Sequence, residues 1–600
     1  LKNIPNEWKD LTTHRLDIYD EKLAKTKFLS YFEILYKNND TKASSLVSLP
    51  TAYDYIRLGH PLSCILEWFI ARKNNLKSNS VISFSSRTIP VLAILRKNLL
   101  DNKMTQIAYV DKLPEFFDIN IISEIYGYQF SLKNVNKIDD ISKFNGSSIF
   151  ISEDIMHGNS VLNKNIDFLI GIDNQIGSIL IVNGNVNQSY ISEIQHVRRR
   201  ESIAMTPHNC LNFLNAVINK SPIINSVLEF NKKQVLDLIR DISSSKNKAL
   251  VASSGLSIQY AIMMGLIHHA LDSYNGRPIR FIVPSNCYGG TNDQARRVAN
   301  CIDSVEVIDL LVDSGKNMVK NIDIVLNEAA NEGCIPYIIA EIPTNPRVEV
   351  PDLVKLESVL SKKRFTKDGL LAIDPVFILD QTFCPNFHFL GNDDIFSKVK
   401  TISYVSGSKF PSGGQCTAGY CIGNDKAAFL FDKIEQHLDI CDNEATSLQY
   451  NILARQMPSM NKRIINAYKN TNEFVSYIRE VLPSTKINFV SNELARQGFT
   501  PSVFSLDLPS KNSSSSDSEE YKRKLNHILI NLMISKIPND CKYCVSYGQL
   551  KGSYWTIPAT STQGTTKEGD KDYIVRASFS ADIDLELHKK IFLEFTNFLK

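Results

Sequence analysis

Five short segments in the second half of the chain present chemistry-bearing side chains in a fixed order. In YVSGSKFPSGG, Lys409 follows an apolar stretch that reads as a strand and is preceded by Ser406 and Ser408. A lysine in a small-residue turn at the end of a buried strand is expected to lose part of its charge preference by desolvation. It then serves as an amine nucleophile or base. In ILDQTF, Asp380 ends another apolar strand, with Thr382 just beyond it. A carboxylate there is costly without a cationic partner. Open α/β sheets place ligands at such strand ends. AEIPTNPRVEVPDL holds Asn345 between two prolines that fix the backbone and aim its amide out of a strand end. CYGGTNDQ sets the ring of Tyr288 beside the flexible Gly289-Gly290 pair, where it could stack on a flat ring. SSGLS brings Ser254, Gly255 and Leu256 to a strand-to-helix turn, whose backbone N–H groups suit a phosphate. Each signal alone is bland. Together, amine, buried carboxylate, amide, ring stacker and phosphate cradle are the parts that hold pyridoxal phosphate. The lysine would form the Schiff base, and the aspartate would keep the ring nitrogen protonated so that the ring withdraws electrons.

From about residue 250 onward the sequence resembles the pyridoxal-phosphate enzymes of cysteine and methionine metabolism: cystathionine γ-synthase, cystathionine lyases, methionine γ-lyase and O-acylhomoserine sulfhydrylases. The resemblance implies that Lys409 carries the cofactor and Asp380 faces its ring nitrogen. Tyr288 would stack on the ring and assist leaving-group protonation, and Asn345 would bond the ring hydroxyl. Ser254, Gly255, Leu256, Thr382, Ser406 and Ser408 would complete the cofactor site. SYGQLKGSYWTIPATSTQGTT is similar to the stretch that covers the family's active site. YIVRASFS is similar to the segment whose arginine grips the substrate carboxylate, which points to Arg576 with Ser546 as helper.

The chain departs from the family pattern in two places. After the lysine the family carries G-H-S-D, whereas this chain reads Gly413-Gly414-Gln415-Cys416. The family's Y-x-R-x-G-N-P-T segment, a source of phosphate ligands across a dimer interface, is matched by Tyr55 to Leu62, far upstream of Ser253. It stands at the usual distance before VISFSSRTIPVLAIL (81–95), which shares a strand–SS–helix layout with ALVASSGLSIQYAIM (249–263). The basic run HVRRRES (196–202) occupies the other available place. Two sets of phosphate ligands therefore stay open: Tyr55 with Arg57, or an arginine among Arg198, Arg199 and Arg200. The front of the chain is similar to the long extensions of fungal-type cystathionine γ-synthases.

The elements that must position these groups follow from periodicity. Strand-like runs alternate with helical ones from about Val81 and again from about residue 249, which predicts α/β architecture with a mainly parallel sheet. The resemblance implies fold type I, with a seven-stranded-type sheet in the large domain and a smaller α+β C-terminal domain. The expected organisation is an N-terminal α/β extension at 1–195, then a large domain at 196–455 and a C-terminal domain at 456–600. The extension reads either as a degenerate copy of the cofactor domain or as an unrelated strand–turn–helix unit. LPEFFDINIISEIYG reads as a helix and NSSSSDSEE (512–520) as an exposed loop.

The chain has 600 residues, 43% of them hydrophobic and 22% charged, which excludes a wholly disordered protein. Its formal net charge of +3 argues against nucleic-acid binding as the main task. No apolar stretch has the length of a membrane span, and the 11 cysteines lack framework spacing, so a reducing cytoplasmic setting is expected. One CxxC pair, Cys541 and Cys544, is too little for a zinc site, and no metal is expected. The implied activity is γ-replacement on a homoserine-type amino acid activated at Cγ, through a vinylglycine-type intermediate. Alternatives are a carbon nucleophile with S-adenosylmethionine as donor, a γ- or β-lyase, and a non-catalytic scaffold. The expected partners are the amino-acid substrate and a second copy, as a homodimer or homotetramer with shared sites.

Overall fold

A computed structural model describes residues 24–599, apart from 51, 54, 55, 111, 154–161, 185–186, 219–227, 275, 313–317, 510–514, 544–548 and 559–572. The chain falls into two compact units. One is built from residues 1–228, 252–268 and 433–451, the other from 229–251, 269–432 and 452–600.

The first unit is organised on a six-stranded sheet: β1 (Val81–Phe84), β2 (Thr105–Tyr109), β3 (Phe130–Asn134), β4 (Ser147–Ser152), β5 (Phe168–Asp173) and β6 (Gly177–Val182). The order is β1-β6-β5-β4-β2-β3. Strands β3, β2, β4 and β5 run parallel, and β6 lies antiparallel to both β5 and β1. Strands β1, β4 and β6 are buried along their whole length, as near-continuous apolar runs in a covered sheet should be.

A buried ion cluster explains one part of the basic run. Arg198 Nη1 donates to Glu67 Oε1 at 2.7 Å, and Lys25 Nζ donates to Glu67 Oε2 at 2.5 Å. Burial pushes the Glu67 carboxyl up, but Lys25, Arg198 and the Ser83 backbone N–H hold it at about 2. Arg198 is therefore committed to a structural carboxylate and is withdrawn from the candidate phosphate ligands.

The second unit carries most of a seven-stranded sheet: β7 (Ala249–Ala252), β8 (Ile279–Pro284), β9 (Val305–Leu310), β10 (Ile335–Glu341), β11 (Val376–Asp380), β12 (Lys400–Ser406) and β13 (Gly419–Gly423). The order is β7-β13-β12-β11-β10-β8-β9, mainly parallel, with β13 antiparallel to β12. A five-stranded sheet follows: β14 (Lys486–Asn488), β15 (Val503–Asp507), β16 (Cys541–Tyr543), β17 (Gly552–Pro558) and β18 (Tyr573–Ser578), in order β14-β15-β18-β17-β16. The expected architecture is present: a large α/β sheet, a smaller α+β part after it, and an additional α/β sheet before it.

Two local expectations are corrected. LPEFFDINIISEIYG forms a helix only over Ile119–Glu124: Phe117 N donates to Pro114 O and Asp118 N to Phe116 O in turns, and Asp118 then caps the helix through Ile121 N. The described part of the polar run is not a loop; residues 512–514 lie outside the described residues. From Ser515 it opens a helix, Ser515–Lys536, in which Leu525, Leu529 and Met533 recur at i+4 and are all buried. Packing of that stripe carries helical structure back into the serine-rich segment.

Candidate active site

Parallel pairing sets three residues side by side, two at strand ends and one two residues before its strand's end. Glu341 on β10 is in register with Asp380 on β11, which is in register with Tyr404 on β12. The ends of these three strands lie at the C-terminal edge of the sheet, and the chain leaves β12 directly into the turn that bears Lys409.

That turn is built tightly. Lys409 N donates to Ser406 O at 3.3 Å, Ser412 N to Gly407 O at 3.0 Å, and Gly414 N to Lys409 O at 3.2 Å. Gly414 adopts φ +78°, a left-handed conformation that most side chains resist. A side chain at Gly407 would lie 2.9 Å from the Ala418 backbone, so the two limbs of the turn approach each other closely only because that position is glycine. Lys409 is 9% exposed.

Asp380 is surrounded by donors. Its Oδ1 accepts from Thr382 N at 2.8 Å, and the hydroxyls of Thr382 and Tyr404 also bond to its carboxylate. Thr382 Oγ1 in turn accepts from Ser406 N at 3.0 Å, which ties β11 to β12. Burial pushes the Asp380 carboxyl up, and the nearby Lys409 ammonium works in the opposite direction. The two groups that the sequence singles out thus act on one another electrostatically.

Asn345 reaches the same unit from the loop after β10. Its Oδ1 accepts from Arg576 Nη1 at 2.6 Å, and the Pro346 carbonyl beside it accepts from Ser505 Oγ on β15. Arg576 lies on β18 opposite Trp555 of β17, and its guanidinium carbon stands 4.4 Å from the Trp555 ring centroid and 5.9 Å from that of Phe383. A planar guanidinium stacked on one face is held in a fixed plane, a geometry that suits bidentate bonding of a carboxylate. Tyr288 follows β8 at the start of the helix Gly289–Ala299, half-buried. Ser408 is buried, and its Oγ accepts from Ala418 N at 3.4 Å.

Sequence reasoning misses Glu341. Its Oε1 accepts from Tyr288 N at 2.6 Å, while its Oε2 has no hydrogen-bond partner among the described residues. Burial first, then the Asp380 charge, pushes this carboxyl up to about 8. A signal exists, since Glu341 ends the apolar strand YIIAE just as Asp380 ends VFILD. An acid held above its ordinary value of 4.5 costs stability progressively as the pH rises from about 4.5, and the full cost is present above about 8. Glu341→Gln removes that cost. In the cofactor-free protein the stability difference between variant and wild type is expected to move in the variant's favour across this window. The slope is at most about 1.4 kcal/mol for each pH unit crossed. Urea unfolding at a series of pH values measures it, and parallel stability curves would contradict the assignment.

Of the expected site residues, Tyr288, Asn345, Asp380, Thr382, Ser406, Ser408, Lys409 and Arg576 belong to the second unit. Ser254, Gly255, Leu256, Arg57 and Arg199 belong to the first. Ser254 Oγ accepts from Ser257 N at 3.0 Å at the head of the helix Gly255–Ser273. Arg57 is buried, and Arg199 is half-buried in the last turn of the helix Gln188–Arg200. Tyr55, Ser546 and Cys544 lie outside the described residues. Among the described residues no group of three or more His, Cys, Asp or Glu could hold a metal, and no helix is long and apolar enough to cross a membrane.

The side chains of the second unit fit pyridoxal phosphate. Asp380 is a half-buried carboxyl suited to pair with a ring N–H⁺, Lys409 supplies the amine, and Asn345 carries an Nδ2 donor beside the Oδ1 that serves Arg576.

No family model matches the chain, and no curated protein matches it. Solved structures with a similar fold include cystathionine gamma-lyase from yeast, 14% identical, covering 62% of this chain and 86% of that one with a TM-score of 0.46. Cystathionine gamma synthase from Xanthomonas oryzae pv. oryzae is 15% identical, covering 61% and 86% at 0.44. CalE6, a methionine gamma lyase from Micromonospora echinospora, is 15% identical, covering 60% and 84% at 0.43.

Proposed function

We propose that the chain is a pyridoxal-phosphate enzyme that exchanges the Cγ substituent of a homoserine-type amino acid for a nucleophile. The observation that carries this reading is the half-buried Asp380 carboxylate at the end of β11, in electrostatic reach of Lys409 in the turn after the adjacent parallel strand β12.

The cofactor, when bound, supplies a protonated ring that stabilises negative charge developing on the attached amino acid. The chain's own residues do the rest. Asp380, fixed by Thr382 and Tyr404, holds the proton on the ring nitrogen. Arg576 binds the substrate carboxylate through the edge of its guanidinium, oriented by Trp555 behind it and Asn345 beside it. Lys409 would hold the cofactor and, once its amine is free, would take the proton from Cα as a general base and return it farther along the chain. Tyr288, whose backbone is anchored by Glu341, serves as the acid for the departing Cγ group. Ser406 and Ser408 offer hydroxyls to the phosphate. The turn at Gly413-Gly414-Gln415-Cys416 differs from the family's G-H-S-D and is where a different substrate preference would arise. Substrate carried on a shared cofactor site makes a dimer or larger assembly the working form.

Incubation with O-succinylhomoserine, O-acetylhomoserine or S-adenosylmethionine, with and without cysteine, tests the reading. A thioether product that requires the thiol is expected. A 2-oxo acid formed equally without thiol would reassign the enzyme as a lyase, and no turnover of any donor by cofactor-loaded protein would contradict the proposal.

A further inference from the structure

The two α/β sheets repeat one topology. Numbering strands within each sheet, the first runs 1-6-5-4-2-3 and the second 1-7-6-5-4-2-3, and in both the last strand is antiparallel to the one before it. The repeat continues beyond the strands. After β6 come the helix Gln188–Arg200, the segment 201–206 and the helix Pro207–Val217. After β13 come the helix Phe431–Ile440, the segment 441–446 and the helix Ser447–Gln456. Thr206 Oγ1 accepts from Asn209 N, and Thr446 Oγ1 from Gln449 N, the same i+3 contact at the same place. Three residues before each threonine, Ile203 O accepts from Ser85 N and Asn443 O from Ser253 N. These bonds put Ser85, Ser86 and Arg87 after β1 in the positions that Ser253, Ser254 and Gly255 hold after β7.

The copies differ where an anion would bind. In the second copy the helix start carries Gly255. In the first, Arg87 takes the corresponding position, two residues before the helix Ile89–Leu100, and the carboxylate of Asp442 lies on it: Arg87 N donates to Oδ2 at 2.7 Å, Nε to Oδ2 at 2.8 Å and Nη2 to Oδ1 at 2.8 Å. Ser86 Oγ and Thr88 Oγ1 are spent on the carbonyls of Cys441 and Ile440. A backbone N–H and a guanidinium converging on two carboxylate oxygens is how a phosphate would be held at a helix start. The first copy also lacks the lysine turn: residues 174–176 join β5 to β6, where residues 407–418 join β12 to β13.

We propose that the first sheet is a degenerate duplicate of the second, with its anion cradle occupied by the chain's own Asp442 carboxylate. The protein therefore binds one phosphate-bearing cofactor per chain. The cofactor count rests on the proposed function; the occupied cradle does not.

Thermal unfolding of the purified, cofactor-loaded protein in inorganic phosphate, against chloride at equal ionic strength, separates the two parts. Wild type is expected to show no phosphate-specific shift. Asp442→Ala should gain an upward shift of a few degrees, the scale for a ligand well above its dissociation constant, and Asp442→Ala with Arg87→Ala should lose it again. A folded Asp442→Ala protein that ignores phosphate, or a double variant that still responds, would overturn the occupied cradle. If Asp442→Ala does not fold, Asp442→Asn, which keeps the acceptor without the charge, is held to the same two outcomes. Quantifying cofactor released by alkali from wild type should give one per chain. Two per chain would overturn the proposal, whereas none would contradict the proposed function and leave the phosphate result standing as evidence on the cradle.

Discussion

Lys409→Ala should leave the protein folded, strip it of its covalently linked, visibly absorbing cofactor, and lower kcat by at least about 10³-fold. Two losses combine to give this size. The amine that attaches the cofactor disappears, and so does the base that moves protons at Cα. The fold is expected to survive because the turn is held by backbone bonds from Ser406, Gly407 and Gly414, none of which uses the lysine side chain. Binding of free cofactor should persist in weakened form, since Asp380 and its hydroxyl donors are untouched. Absorbance spectra, circular dichroism and turnover of the same preparation distinguish these effects. A variant with an unchanged spectrum and rate would remove Lys409 from the chemistry.

Arg576→Ala should reduce kcat/KM for an α-amino acid by about 10²–10³-fold, mostly through KM, from the roughly 3–4 kcal/mol of a buried charge-assisted pair. Arg576→Lys keeps the charge but loses both the planar fork and the flat face that meets Trp555 at 4.4 Å, so it should recover only a small part of the loss. Cofactor absorbance should be nearly unchanged in both variants, because Arg576 meets the cofactor site through Asn345 Oδ1. Steady-state kinetics with the free acid and its methyl ester provide the check. Equal penalties on both substrates would mean that the arginine does not bind a carboxylate.

Much of this site is legible as residue type at a strand end. Asp380, Asn345 and Lys409 each punctuate an apolar run, and the burial of those runs makes a polar residue at the edge conspicuous. Glu341 gives the same signal, but the two prolines after it point past it to Asn345. Trp555 gives none, since its stacking on Arg576 depends on antiparallel register between β17 and β18, which single-strand patterns do not encode. The proposed duplication shows in the paired serines after β1 and β7, but its main support lies in sheet order and in contacts from Ile203 and Asn443, separated from those serines by more than a hundred residues. Arg198 misleads for the opposite reason: a run of arginines looks like an anion site until the buried Glu67 that neutralises one of them is seen.

Everything turns on where the cofactor is attached. Borohydride reduction of the loaded enzyme converts the lysine–cofactor linkage to a stable amine, and proteolysis with mass mapping then locates it. The predicted result is a pyridoxyl group on the peptide containing Lys409. Label on any other lysine, or none in a protein reduced under conditions that trap known imine-linked cofactors, would contradict it.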